Sequence, residues 1–309
     1  MKVLKNKTHF LYLAILAFIF ISTSAMAISG QIPVVQQLIR SVVGESKTFP
    51  PLPVLAADSS YPVLSAQGAL AVDLNSGVSL YEKNADQHLL PASTTKIITA
   101  LVSLDVYKPD QVLDVGKGVA VVGQKMGLYP GEQMTFENLL YGLLVYSAND
   151  AAEVLAQNYT GGYDAFIAAM NTKAQELSMG NSHFDNPVGL DTDDQHSTAK
   201  DLVRASEVAM RNPEFAKVVG TKQVAVTDAT GKSVYNLKNI NELLGVVPGV
   251  MGVKTGWTEN ARENLVTCIE RDGHKIMIAV LGSQDRFGET KELIGWIFTN
   301  YKWEEVKTP

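Results

Sequence analysis

Pro91-Ala-Ser-Thr-Thr-Lys96 puts a serine and a lysine three residues apart at the mouth of a strongly apolar segment. Beyond Lys96 the apolar positions Ile97, Ala100, Leu101 and Leu104 fall at i, i+3, i+4 and i+7, the stripe of a buried helix. The spacing predicts a helix from Ser93 to about Leu104, with Ser93 and Lys96 on one face of its first turn. A serine hydroxyl is a poor nucleophile at neutral pH unless a base takes its proton, and lysine is that base only when its own pKa has been pushed down. Burial and a nearby second cation do this. The same spacing recurs at Ser197 and Lys200, so it selects no nucleophile by itself. There Thr198 is spaced to cap a helix with Asp201 at its third position, which gives the second pair a structural explanation.

Working outward, Gly68–Asp73 and Gly77–Glu82 read as two strands of a hairpin, with Gly77 suited to the turn. Asp114–Gly131 is glycine-rich and gives no clear element. Thr135 caps a predicted helix from Phe136 to Tyr146, and Asp150-Ala-Ala-Glu153 resembles a capping box opening another. Ser147-Ala-Asn149 lies between them, a polar turn that either satisfies helix ends or points two side chains into a cleft. A further helix is predicted from Tyr163 to Leu177, then an irregular loop from Gly180 to Gln195. The chain returns to strands at Met251–Trp257, Asn264–Glu270 and Lys275–Leu281, the last two joined by the Asp272-Gly273 turn signal. An amphipathic helix, Thr290–Asn300, closes the sequence. Strands at both ends with helices between imply one sheet assembled from distant parts of the chain.

With 309 residues, 46% hydrophobic and 19% charged, the chain has the composition of a globular protein with a sizeable core. Residues 1–27 stand apart. Lys2, Lys5 and Lys7 precede the apolar run Phe10–Ile21, and small residues ending in Ala25-Met-Ala27 follow, the layout of a secretory signal peptide. The run is short for a transmembrane span, and an uncleaved N-terminal membrane anchor is the alternative. Either places the remainder outside the cytoplasm, in the periplasm or on the outer face of the membrane. Residues 28–64, with an apolar patch at Ile32–Val43 and prolines at 50, 51, 53 and 62, read as a linker, and the catalytic domain is expected over 65–309. Without residues 1–27 the formal charge moves from -6 to -9, and the absence of a basic cluster argues against nucleic acid as a partner. Cys268 is the only cysteine and lies in an apolar run, as a buried inert thiol would. The five histidines show no metal-ligand spacing, and no Gly-x-Ser-x-Gly elbow is present.

Ser93-x-x-Lys96, Ser147-x-Asn149 and Lys254-Thr-Gly256 occur in that order, separated by roughly fifty and roughly a hundred residues. This ordered triple is the signature of penicillin-recognising serine acyltransferases and β-lactamases. Asp73–Gly77, Leu143–Ala152, Asn186-Pro-Val-Gly-Leu-Asp191, His196–Ala199, Asn239–Leu244 and Gly252–Thr258 further resemble the low-molecular-mass D-alanyl-D-alanine carboxypeptidases. That resemblance implies an α/β chain of α+β type, with a mainly antiparallel β-lactamase/transpeptidase-like sheet, covering helices and a helical subdomain. It implies that Ser93 attacks the carbonyl between the terminal D-alanines of peptidoglycan stem peptides while Lys96 takes its proton. The amides of Ser93 and Trp257 would form the oxyanion hole beside Gly256. Lys254 and Thr255 would hold the terminal carboxylate, and the charge of Lys254 would help keep Lys96 neutral. Ser147 would relay a proton to the leaving amine, and Asn149 would orient Lys96 and the substrate. β-Lactam antibiotics would acylate the same serine, and neither metal nor cofactor is called for.

The segment Ala261-Arg262 departs from many relatives, which carry glycine after the alanine, and bears on the rim of the cleft. The sequence also ends at Pro309, soon after the closing helix, where many such carboxypeptidases continue into a β-rich domain. Single-domain relatives include endopeptidases that cut D-alanine cross-links, so that activity is the alternative. A β-lactamase would need a deacylating glutamate, and Gly180–Gln195 offers only aspartates. A silent wall-binding protein would have no use for a desolvated lysine.

Overall fold

The computed structural model describes residues 50–306 apart from Ala120, so the expected signal segment and most of the expected linker lie outside the described residues. The ordered body begins earlier than the expected Ser65. Strand β1 (Leu52–Leu55) pairs antiparallel with the last strand of the chain, Leu52 opposite Glu304 and Leu55 opposite Tyr301. Pro51 and Pro53 suggested a spacer, but proline is tolerated on an edge strand whose N–H groups need no partner. The expected hairpin follows as β2 (Gly68–Asp73) and β3 (Ser79–Lys83), with Gly77 at φ 74° in the connection.

Ser93 lies in a 3-10 turn, Ala92–Thr95, and only from Lys96 does the α-helix α1 (Lys96–Val106) run. Strand β4 (Val112–Asp114) pairs with β5 (Gln133–Thr135) across the glycine-rich stretch. Thr135 caps α2 (Phe136–Leu144) as its position suggests, accepting from the Asn138 amide at 3.4 Å. Helix α3 (Asn149–Gln157) opens at Ala148 and not at Asp150, so no capping box forms there. Next come α4 (Gly162–Glu176), α5 (Ala199–Arg211) and α6 (Pro213–Val219). Thr198 caps α5, accepting from the Asp201 amide at 3.0 Å, while Lys200 pairs with Asp86 at the surface. The second Ser-x-x-Lys is thus a helix start. A hairpin that the sequence reading lacks, β6 (Gln223–Thr227) with β7 (Val234–Lys238), precedes β8 (Val250–Thr258), β9 (Arg262–Arg271), β10 (His274–Ser283), α7 (Arg286–Asn300) and β11 (Tyr301–Glu304).

The main sheet has the order β3-β2-β10-β9-β8 and is antiparallel throughout. Strand alternation sends Ile276, Ile278 and Val280 to one face, where they pack with Leu293, Ile294 and Ile297 of α7. Met277, Ala279 and Leu281 face the other way, into a core shared with α1, α2, α3 and α5. Covering both faces explains why Lys275–Leu281 reads as a nearly continuous apolar run, with little alternation. Cys268 is fully buried in the helical-side core, and burial pushes its thiol up to about 12, as expected of an inert side chain. Strand β8 is the edge of this sheet, with the helical part beside it.

Thr198→Ala removes a helix cap that does not line the cleft over Ser93 and is expected to destabilise the protein by about 1 kcal/mol. Thermal unfolding should record a Tm lower by about 2–4 °C for a domain of this size.

Candidate active site

The turn carrying Ser93 is pressed into place by close backbone approaches. A Cβ on Gly256 would lie 3.0 Å from both the Ser93 amide and the Pro91 carbonyl oxygen, a tight contact that glycine spares the turn. Gly189, at φ 89°, is packed more tightly still: a Cβ would lie 1.9 Å from the Ala92 carbonyl oxygen. Ala92 itself takes the left-handed conformation, φ 47°, which lifts Ser93 out of the helix path.

Lys96 is completely buried, and its amine meets three oxygens: Val188 O at 2.6 Å, Asn149 Oδ1 at 2.7 Å and Ser93 Oγ at 2.9 Å. Burial pulls the lysine down to about 7, against the opposing pull of Asp150 and Glu153. A neutral amine has two N–H groups and one lone pair. The Val188 carbonyl and the Asn149 amide oxygen can only accept, so they take both N–H groups and leave the lone pair facing the Ser93 hydroxyl. The Val188 carbonyl is aimed by its own loop, where Asn186 Oδ1 gathers the amides of Val188, Gly189 and Leu190 at 3.3, 2.8 and 3.0 Å. Thr99 of α1 ties down the same loop by donating to Pro187 O at 2.7 Å.

Ser147 occupies a left-handed turn at φ 63° between α2 and α3, an uncommon conformation for serine at an element boundary. It receives a hydrogen bond of 2.8 Å from Lys254 Nζ, which also donates to Thr255 O at 2.9 Å. Lys254 is buried, and desolvation first, then the nearby Lys96 and Arg286, hold its pKa well below the usual lysine range. The two lysines thus stand on either side of a pair of serine hydroxyls.

A cleft of about 670 Å³ opens over this cluster. Six of the sequence-predicted residues line it: Ser93, Ser147, Asn149, Thr255, Gly256 and Trp257. Lys96 and Lys254 sit one layer behind, reaching the cleft through the hydroxyls they touch. Trp257 stands on the rim, 62% exposed. The sequence reading missed Arg286, which lines the cleft, donates from Nη1 to Gly256 O at 3.0 Å and leaves Nε without a partner among the described residues. One signal was available. Arg286 opens α7 directly after its Asp285 cap, and a cation at a helix N-terminus opposes the helix dipole, so a cation placed there invites a functional explanation. Thr255 Oγ1 is likewise buried without a partner. Val122, Gly123, Gln124 and Ile240 form the facing wall, and Arg262 lies in a left-handed turn at the head of β9. Among the described residues no three His, Cys, Asp or Glu side chains are placed to share a metal ion.

The family model for D-alanyl-D-alanine carboxypeptidases, peptidase family S11, matches residues 56–285. The chain belongs to the D-alanyl-D-alanine carboxypeptidase family. It is 30% identical over 246 residues to D-alanyl-D-alanine carboxypeptidase DacF of Bacillus subtilis, covering 77% of this chain but only 63% of that protein's length. It is 32% identical to a D-alanyl-D-alanine endopeptidase of Pseudomonas aeruginosa over 76% of this chain and 78% of the relative. Its fold is similar to the crystal structure of the Streptomyces K15 DD-transpeptidase, with a TM-score of 0.74 and 33% identity, covering 78% of this chain and all of that one. The antiparallel sheet flanked by helices is therefore the penicillin-binding fold that the motifs led us to expect.

Gly189→Ala would drive a methyl group into the backbone of the nucleophile turn. Displacing Ser93 by about 1 Å is expected to slow its acylation by on the order of a hundredfold. The rate of adduct formation with a labelled penicillin, set beside the thermal unfolding curve, measures the loss separately from any change in stability.

Proposed function

We propose that this protein is a serine D-alanyl-D-alanine carboxypeptidase that removes the terminal D-alanine from peptidoglycan stem peptides through an acyl-enzyme on Ser93. The reading rests most heavily on the Lys96 amine, buried, lowered to about 7 and 2.9 Å from the hydroxyl it would deprotonate. Ser93 Oγ attacks the penultimate carbonyl as its proton passes to Lys96 Nζ. The amides of Ser93 and Trp257 receive the developing oxyanion, each donor worth on the order of 3 kcal/mol. The substrate backbone lies along β8, whose outer edge is unpaired by any strand of the sheet.

The terminal carboxylate falls to Thr255 and Arg286, which line the cleft, while Lys254 acts from behind as charge more than as contact. An arriving carboxylate raises the proton affinity of Lys254 and favours its ammonium form. Through Ser147, 2.8 Å from Lys254 Nζ, a proton then reaches the departing D-alanine amine. Lys96 then gives up its proton to solvent and Lys254 regains one, and water hydrolyses the ester, its oxygen joining the acyl carbon and a proton returning to Ser93 Oγ. A β-lactam presents a similar carboxylate and strained amide and would acylate Ser93 in the same way. This chemistry belongs outside the cytoplasm, where residues 1–27 supply an export signal or a membrane tether. No helix among the described residues is long and apolar enough to cross a membrane. Cutting of D-alanine cross-links, the activity named for the Pseudomonas relative, is the competing outcome.

Incubating the protein with a peptide ending in D-Ala-D-Ala, with a cross-linked peptide dimer and with labelled penicillin separates these readings. Free D-alanine and a stable adduct that Ser93→Ala abolishes are expected. Preferential cleavage of the dimer would make the protein an endopeptidase, and rapid turnover of the drug would make it a lactamase.

Below about 7 Lys96 becomes an ammonium and cannot accept the Ser93 proton. The acylation rate is therefore expected to fall as pH drops through that value and to level off above it, which a pH series of adduct formation checks.

Arg286→Gln deletes a charge-assisted contact of about 1.5–3 kcal/mol. The expected loss in kcat/KM for a free D-Ala-D-Ala carboxylate is about 10- to 150-fold, and a substrate with an amidated C-terminus should lose far less.

A further inference from the structure

Asp150 is 1% exposed, yet among the described residues it forms no ion pair. Its carboxylate collects backbone amides instead: Met126 at 3.1 Å, Gly127 at 2.8 Å and Leu128 at 3.0 Å, with Ala151 of its own helix at 3.0 Å. The neighbouring residue continues the strap. Asn149 donates from its backbone to Gln124 O at 2.8 Å and from Nδ2 to Val122 O at 2.6 Å. Residues 122–128 form an irregular loop, and Val122, Gly123 and Gln124 are the cleft wall facing β8. Five hydrogen bonds from two consecutive residues therefore hold that wall against the turn carrying Ser147. Gly123, at φ 83°, lets the wall approach so closely that a Cβ would come within 2.9 Å of Asn149 Nδ2.

The same helix turn faces Lys96. Asn149 touches the amine directly, while Asp150 and, one turn on, Glu153 are the carboxylates that favour its charged form, Asp150 the more strongly. The cations near Lys96 come from other elements: Lys254 of β8, with Arg286 of α7 acting on Lys254 in turn.

We propose that Asp150 is a positioning residue for acylation of Ser93, its buried carboxylate fixing the Val122–Leu128 wall of the cleft while placing a negative charge behind the Lys96 amine. This rests on the carboxypeptidase reading, in which Lys96 is the base. Sequence alone gives Asp150 the role of a helix cap. In the structure Ala148 starts the helix, which leaves the carboxylate for the loop.

The test is the rate of Ser93 acylation by a fluorescent penicillin, measured across the pH range on the full chain, its Asp150→Asn variant and Thr198→Ala as a control for lost stability elsewhere. In Asp150→Asn an amide N–H faces the loop amides, so the plateau rate should fall at least about tenfold through misplacement of the wall. Loss of the charge makes ammonium less favourable at Lys96, so the acid limb should move to lower pH. A purely structural role would leave that limb in place. An unshifted limb, or a plateau equal to that of Thr198→Ala, would overturn the proposal. Should Asp150→Asn not fold, hydrogen exchange of the wild-type protein decides. The Met126, Gly127 and Leu128 amides are expected to exchange at least about tenfold slower than an unstructured chain, and exchange at the unstructured rate would refute the strap. Absence of any wild-type adduct would overturn the carboxypeptidase reading and this proposal together. A normal wild-type adduct with an unshifted Asp150→Asn profile would remove this proposal alone.

Discussion

One buried nitrogen organises this protein. The Lys96 amine is shut away from water and meets three oxygens from three separate parts of the chain: the serine of its own turn, the asparagine that opens α3, and a carbonyl from the loop after α4. An isolated ammonium in such a place would be strongly disfavoured. Two acceptors that cannot donate fix how a neutral amine must sit, and its lone pair is left for Ser93. The reactivity proposed for the serine is thus a consequence of packing, because the arrangement behind it exists only while helices α1 and α3 and the Val188 loop are assembled around Lys96.

That assembly tolerates little slack. Gly256 lets the edge strand approach the Ser93 amide, and Gly189 lets the Val188 loop lie against Ala92, so three pieces of backbone meet where side chains elsewhere in the core would keep them apart. Ala92 and Ser147 hold left-handed conformations beside the reacting groups. Such conformations persist only where the surrounding structure over-determines them. The surroundings here are a sheet packed on both faces and α1, whose residues from Lys96 to Ser103 are all buried.

The electrostatics follow the same logic. Desolvation lowers the proton affinity of Lys254 most, and the neighbouring Lys96 and Arg286 add to it. Asp150 and Glu153 lean the other way on Lys96, keeping it near neutrality where a base can both accept and return a proton. Behind the cleft, opposing charges balance around two buried amines. A substrate carboxylate would enter that balance on binding.

Much of this was legible in the amino-acid order, because some signals are local. Thr135 and Thr198 cap helices where their spacing says they should, Cys268 is buried where its apolar neighbours put it, and the three short motifs fall on a helix start, an inter-helix turn and a strand. Apart from the local β6–β7 hairpin, what failed depended on a distant partner. Leu52–Leu55 read as spacer because the strand that pairs with it is at the other end of the chain. Asp150 read as a cap because nothing nearby in sequence announces the loop amides it holds, and Arg286 went unread because the groove it enters is built from β8 and the Ser147 turn. Sequence by itself determined which groups are proposed to carry the chemistry, since a hydroxyl, an amine and their spacing along a helix start are written locally. Only the tertiary structure decided that Lys96 is dry enough to be a base, that Lys254 stands behind the cleft and that Arg286 lines it, because desolvation and proximity are properties of residues brought together from afar.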